Sequence, residues 1–196
     1  MKVTPLIVLL NMLVLYTNST SLTLFLLFFG SFFKISSRGG FMSDKRIRTL
    51  TEKLWARNKY AVMAKGYEHY KNVSNALKNA HTNEQLLGVY ELLKDTLKLP
   101  YTRKGMRTTL EHMWGYFKKQ ATTEEKDLFV MKRNELSDTE ILSEKDIQSI
   151  RTYLVELLDR YPSDYLEQSS ILHPNEKWNE VYDQKQMKII TEEDYL

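Results

Sequence analysis

No cysteine occurs among the 196 residues. That absence excludes a disulfide framework, a thiolate nucleophile, a cysteine zinc site and an iron–sulfur cluster held by this chain. Histidine is nearly as scarce. His69, His81, His112 and His173 stand at no HxxxH spacing, so neither a metal site nor a cofactor is expected. Seven glycines and four prolines are too few for a turn-rich β fold and favour helices. The GxSxG, GxxxxGKS/T, GxGxxG and HExxH signatures of nucleophile elbows, phosphate loops, dinucleotide folds and zinc proteases are all missing. Carboxylates are plentiful, but Glu124, Glu125 and Asp127 suit a helix N-terminus. Glu192, Glu193 and Asp194 read as a solvated tail.

Residues 1–41 form an apolar leader with Lys2, Lys34 and Arg38 and no acid. Its two apolar runs, 3–16 and 22–33, are each shorter than the ~20 residues that span a bilayer. One reading is a signal anchor or tilted membrane segment. A second is a cleaved secretion signal, although no small-residue cleavage site follows the second run. The leading expectation is a mis-assigned start. Arg38-Gly39-Gly40-Phe41-Met42 can be encoded by purine-rich codons that spell a bacterial ribosome-binding site, which makes Met42 the first residue. That reading places the protein in the cytoplasm; the first makes it membrane-anchored.

From Ser43 onward the apolar pattern is helical. A first helix is expected over 44–79, with stripe residues Ile47, Leu50, Leu54, Met63, Tyr67, Tyr70 and Leu77 and a bend at 72–75. Thr82 or Asn83 caps a second, striped by Leu86, Tyr90, Leu93 and Leu97 and ended by Pro100. The third covers about 102–120. Thr122 and Glu125 make a capping box for the fourth, which carries Leu128, Met131 and Leu136. Ser143 caps the fifth, with Ile147, Ile150, Leu154, Leu157, Leu158 and Tyr161 as its stripe and Pro162 as its stop. A short helical turn over 163–168 docks Tyr165 and Leu166, and Trp178, Val181 and Tyr182 line one more short helix. The expected fold is all-α, an antiparallel bundle of about five to six helices.

The third helix has two faces. Met106, Leu110, Met113, Trp114 and Phe117 fall within about 100° of one another, a core stripe. Gly105, Thr109, His112 and Tyr116 cluster about 120° away. That second face is either a solvated surface or the wall of a pocket in which His112 moves a proton near neutral pH. Gly115, costing about 1 kcal/mol inside a helix, suggests a close approach of another helix or a ligand.

Charge is uneven. Residues 42–119 carry a net +9, whereas 120–162 carry −4 and 163–196 carry −5. The first three helices are therefore basic, through Lys45, Arg46, Arg48, Lys53, Arg57, Lys59, Arg103, Lys104, Arg107, Lys118 and Lys119. With Trp55, Tyr60 and Tyr116 near them, a phosphate- or base-binding face is one reading. Neutralisation by the acidic second half is the other, since 42–196 sum to zero.

Trp55 with Lys59 and Tyr60, Leu110, His112 and Gly115-Tyr116-Phe117-Lys118, Glu125-Lys126, then Tyr161-Pro162 with Tyr165, Leu166 and Gln168 form a recognisable set. The body resembles the YbgA-like family, a bacterial helical domain of unknown function, over residues 54–174. Residues 42–174 are then the helical domain and 175–196 an acidic C-terminal tail. The chain departs from the family at Asn58, where many members have histidine, and at Met106 and Thr108, near which histidine and asparagine are expected. The glycine expected soon after Arg133 is also missing.

The resemblance implies fusion to an iron–sulfur domain like thiouracil desulfidases in some members, and a photolyase gene as neighbour in others. The expected function is a non-catalytic accessory or binding module in nucleobase, nucleotide or DNA-repair metabolism. Trp55, Lys59, Tyr60, Arg103, Arg107, His112, Tyr116 and Lys118 would form its binding face. Its partner would be a separate iron–sulfur or nucleobase-processing enzyme, with nucleic acid or nucleotide as ligand. The alternative is a small enzyme using His112 and Tyr116 as general acid and base.

Overall fold

The computed structural model describes residues 44–136 and 141–196. The leader, residues 1–41, with the expectations attached to it, lies outside the described residues. Among the described residues no helix is long and apolar enough to cross a membrane.

The fold is all-α, with one small hairpin. Its helices are α1 (Lys45–Met63), α2 (Tyr67–Asn79), α3 (Asn83–Leu97), α4 (Arg103–Phe117), α5 (Thr123–Glu135), α6 (Glu144–Arg160) and the short α7 (Asp164–Glu167). The 3₁₀ turn Ser170–Leu172, strands β1 (Glu180–Asp183) and β2 (Gln186–Ile189), and the 3₁₀ turn Glu192–Tyr195 follow.

Local chemistry sets the boundaries. Thr82 with Gln85, Thr122 with Glu125, and Ser143 with Asp146 all close reciprocal capping boxes. The expected 44–79 helix is two helices, and the break falls at 64–66 rather than 72–75. Gly66 is the N-cap of α2, and the turn is fixed from outside: Thr102 donates its amide to Ala64 O at 3.0 Å. Polar residues 72–75 stay helical because Val73 and Leu77 are buried against neighbouring helices.

Two apolar cores share α1. The first joins the end of α1 (Tyr60, Met63, Ala64) to α4, α5, α6 and Leu166 of α7. In α5 the buried anchor is Phe129, whose ring stacks on Trp114 at 4.4 Å. Met131, expected in the stripe, is 49 % exposed, because the face one residue away meets α4. The second core joins Ile47, Leu50, Leu54 and Val62 of α1 to α2, α3 and the C-terminal segment.

That segment corrects two expectations. Residues 180–189 form an antiparallel hairpin, pairing Glu180 with Ile189 and Asp183 with Gln186, not a helix. Its two-residue turn, Gln184-Lys185, has positive φ at both positions, 48° and 68°. Hairpins of this kind normally advertise themselves with Asn-Gly; here they do not. Nor are Glu192 and Asp194 merely solvated. Glu192 pairs with Lys94 at 2.7 Å, and Asp194 takes Lys188. Val181, Ile190 and Tyr195 are buried in the second core, and the hydroxyls of Thr51 and Tyr195 are hydrogen-bonded at 3.1 Å.

Candidate functional site

The second face of α4 behaves differently along its length. At its start it is packed. A Cβ on Gly105 would lie 2.5 Å from the Ala64 carbonyl oxygen, and Thr109 donates to Tyr60 O at 3.4 Å. The close approach expected at Gly115 is therefore at Gly105; a Cβ on Gly115 would meet nothing within 4 Å. One turn beyond Thr109 the face emerges, with His112 and Tyr116 both exposed.

Each of these two side chains lies against a ring from another helix. His112 stacks beside Tyr67 of α2 at 6.4 Å, and Tyr67 stacks on Tyr70 at 5.6 Å. Tyr70 in turn meets Trp55 of α1 at 5.3 Å. Tyr116 stacks beside Tyr165 of α7 at 6.1 Å. Lys59 bridges the second set, its Nζ 4.5 Å from the centre of Tyr165 and 4.6 Å from that of Tyr60, cation–π distances. Tyr60 is buried between the two sets. Burial, and after it the Tyr116 hydroxyl, push its phenol far above the ordinary tyrosine range. Four helices thus gather Trp55, Lys59, His112 and Tyr116 into an aromatic cluster of two ring sets around the buried Tyr60.

The other named residues do not join it. Arg103 donates to Glu135 O at 3.3 Å and lies 3.7 Å from Asp146. Arg107 faces Glu111 on its own helix at 3.6 Å. Lys118 is exposed at the C-cap of α4. Much of the remaining basic surface is neutralised by the C-terminal segment: Arg57 pairs with Glu176 at 2.5 Å and Lys53 with Asp183 at 3.3 Å. Asn58, at the family's histidine position, is fully buried, its Nδ2 donating to Leu54 O and to Trp178 O, both at 2.8 Å. No cluster of three metal-binding side chains occurs among the described residues.

Beside the Tyr67–His112 pair a cleft of about 610 Å³ opens between the α1–α2 turn and the first turns of α4. Lys65, Lys71 and Lys104 line it, with Glu68, Thr108 and Gly66. Among the described residues Lys71 and Lys104 have no carboxylate partner. Lys65 is only 6 % exposed, with Nζ donating to Leu99 O and lying 3.9 Å over the Tyr101 ring. Tyr67, Tyr70, Tyr165 and Lys65 were not marked as site residues by the sequence. The two α2 tyrosines sit at core spacing, and nothing local distinguishes Lys65 from a surface lysine.

Burial lowers the Lys65 pKa from 10.5 to about 8. Between those values the unfolded chain binds more protons, so stability rises with pH across that window, by roughly 3 kcal/mol when complete. Tyr60 and Tyr153 are shifted the other way by burial, and their contribution is lost as pH climbs past 10. Thermal melts should therefore show a maximum near pH 9 to 10 and a steep fall above it. In Lys65→Met the rise on the low side should vanish while the alkaline fall remains.

Compared with known proteins, residues 59–175 match the model of a family described as "Protein of unknown function (DUF1722)". No curated protein and no solved structure matches the chain.

Proposed function

The chain belongs to the DUF1722 family, the YbgA-like domains of unknown function, and on that premise we propose that it is a non-catalytic module that binds nucleobases, nucleotides or single-stranded nucleic acid for a separate enzyme. One observation carries this reading: two sets of stacked rings, Trp55, Tyr70, Tyr67 and His112 in one and Tyr116 and Tyr165 in the other, either side of the buried Tyr60. Stacked rings bordered by Lys59, Lys71 and Lys104 suit ligands that offer a π-face and negative charge. His112 and Tyr116 each engage a different ring, and His112 meets no carboxylate among the described residues. A general acid–base pair needs an orienting group, so the enzyme alternative has less support.

Fluorescence anisotropy with a labelled single-stranded oligonucleotide tests the reading. Binding at low salt should weaken steeply as salt rises. Tyr67→Ala, at a 44 % exposed position, should cost about tenfold in affinity without lowering the melting temperature. No binding at low salt refutes the module.

A further inference from the structure

We infer that the cleft between the α1–α2 turn and α4 is a binding site for a phosphate monoester, the terminal phosphate of a nucleotide whose base stacks on the Tyr67–His112 rings. The inference rests on the aromatic surface proposed above and adds a second, chemically distinct subsite to it.

Four observations converge there. The first is volume. About 610 Å³ is ample for a nucleoside phosphate and falls within the usual range of ligand pockets.

The second is charge. Lys65, Lys71 and Lys104 line the cleft against one carboxylate, Glu68, leaving two positive charges uncompensated. A phosphate monoester carries about −1.5 to −2 at neutral pH, whereas an internal phosphodiester carries one charge. Elsewhere on the basic half Arg46, Arg48, Lys53, Arg57 and Lys94 are already paired with carboxylates. Among the described residues Lys45, Lys59, Lys78, Lys118 and Lys119 also have no carboxylate partner, but Lys65, Lys71 and Lys104 are the three such cations that line one cleft.

The third is the backbone. Gly66 caps α2 without any side-chain hydrogen bond, so first-turn amides of a 13-residue helix remain to be satisfied at the cleft wall. The Glu68 carboxylate folds back over this point. A Cβ on Gly66 would lie 2.3 Å from Glu68 Oε1, so an intramolecular anion already rests against the glycine. That side chain is 72 % exposed and free to swing aside.

The fourth is continuity. Tyr67 and His112 line the cleft and are also the end of the ring ladder. A base stacked on them would hold its phosphate over Lys71 and Lys104. Lys65 supplies charge from the floor, fixed by the Leu99 carbonyl.

The test compares one oligonucleotide carrying a 5′-phosphate with the same strand ending in a 5′-hydroxyl, and adenosine 5′-monophosphate with adenosine. The phosphate should tighten binding by about tenfold, the value of one charge-assisted hydrogen bond. In the double variant Lys71→Ala/Lys104→Ala the ratio of phosphate-ended to hydroxyl-ended affinity should fall to about one, and the ratio is the readout because both lysines also border the rings and their loss weakens every strand. Both substitutions fall on exposed side chains, and a melt confirms folding. Gain with the mononucleotide identifies a free nucleotide as the ligand; gain with the strand alone identifies a strand end. Both support the site. If phosphorylated and hydroxyl probes bind equally, or if the gain survives in the double variant, the cleft proposal is overturned and the aromatic surface stands. If no probe binds at low salt, both fall together.

Discussion

Removing residues 176–196 should unfold the first three helices, and is the largest single effect expected for this protein. The second core is closed by Val181, Ile190 and Tyr195, each no more than 4 % exposed. Full burial of such side chains contributes roughly 1.5–3 kcal/mol apiece. The three together therefore contribute roughly 4.5–9 kcal/mol, comparable with the whole stability of many domains. The loss is compounded at α1. Arg57, 6 % exposed, would lose Glu176 and the Lys177 carbonyl, and Asn58 would lose Trp178 O. A buried guanidinium stripped of its carboxylate is a further large penalty. Far-UV circular dichroism on the shortened chain should show reduced helicity and an early, broad melt. An unchanged melting temperature would return the segment to the status of a solvated acidic tail.

Gly105→Val comes next. The glycine is where α4 crosses the end of α1, and what a side chain would strike is backbone: the Ala64 carbonyl at 2.5–2.7 Å and Met63 O at 2.8 Å. Backbone cannot swing aside. The same Ala64 oxygen accepts the Thr102 amide that sets the start of α4, so displacing it would break that bond too. Overpacking at a well-packed contact costs about 1–3 kcal/mol, and with the lost hydrogen bond roughly 3 kcal/mol is expected. Chemical denaturation would show it as a lower midpoint with an unchanged slope. Gly115→Ala is the control, ten residues along the same helix. With open space at its Cβ it should gain about 0.5–1 kcal/mol through helix propensity alone.

These two glycines show where sequence and structure part company. Both stand inside one predicted helix, and helix propensity penalises them equally. Which one marks a crossing depends on where α1 ends, and that is fixed by a contact from Thr102 some forty residues away. Helix caps, by contrast, are local chemistry over four residues. At α3 the sequence left Thr82 and Asn83 open and the structure selects Thr82, but the Thr122–Glu125 box and the Ser143 cap were legible as they stand. So was the apolar stripe of α4, whose five members are all buried. The hairpin was hidden for another local reason: its turn places Gln184 and Lys185 in the left-handed region without the glycine or asparagine that signals it. The aromatic surface was half legible. Trp55, Lys59, Tyr60, His112 and Tyr116 stood out by residue type. Tyr67, Tyr70 and Tyr165 became visible as site residues only once α2 and α7 were seated beside α4. The arginines misled, because Arg103, Arg107 and Arg57 already have carboxylates facing them.

The Thr51–Tyr195 contact joins positions 144 residues apart in the chain. Synthesis proceeds at about 5–20 residues per second, so α1 waits roughly 7 to 30 s between emerging from the ribosome and meeting the groups that cover it. Through that interval Ile47, Leu50 and Leu54 have only α2 and α3 to pack against, and the side of the core that Val181, Ile190 and Tyr195 close stays open on the nascent chain. The N-terminal helices are made first and finished last.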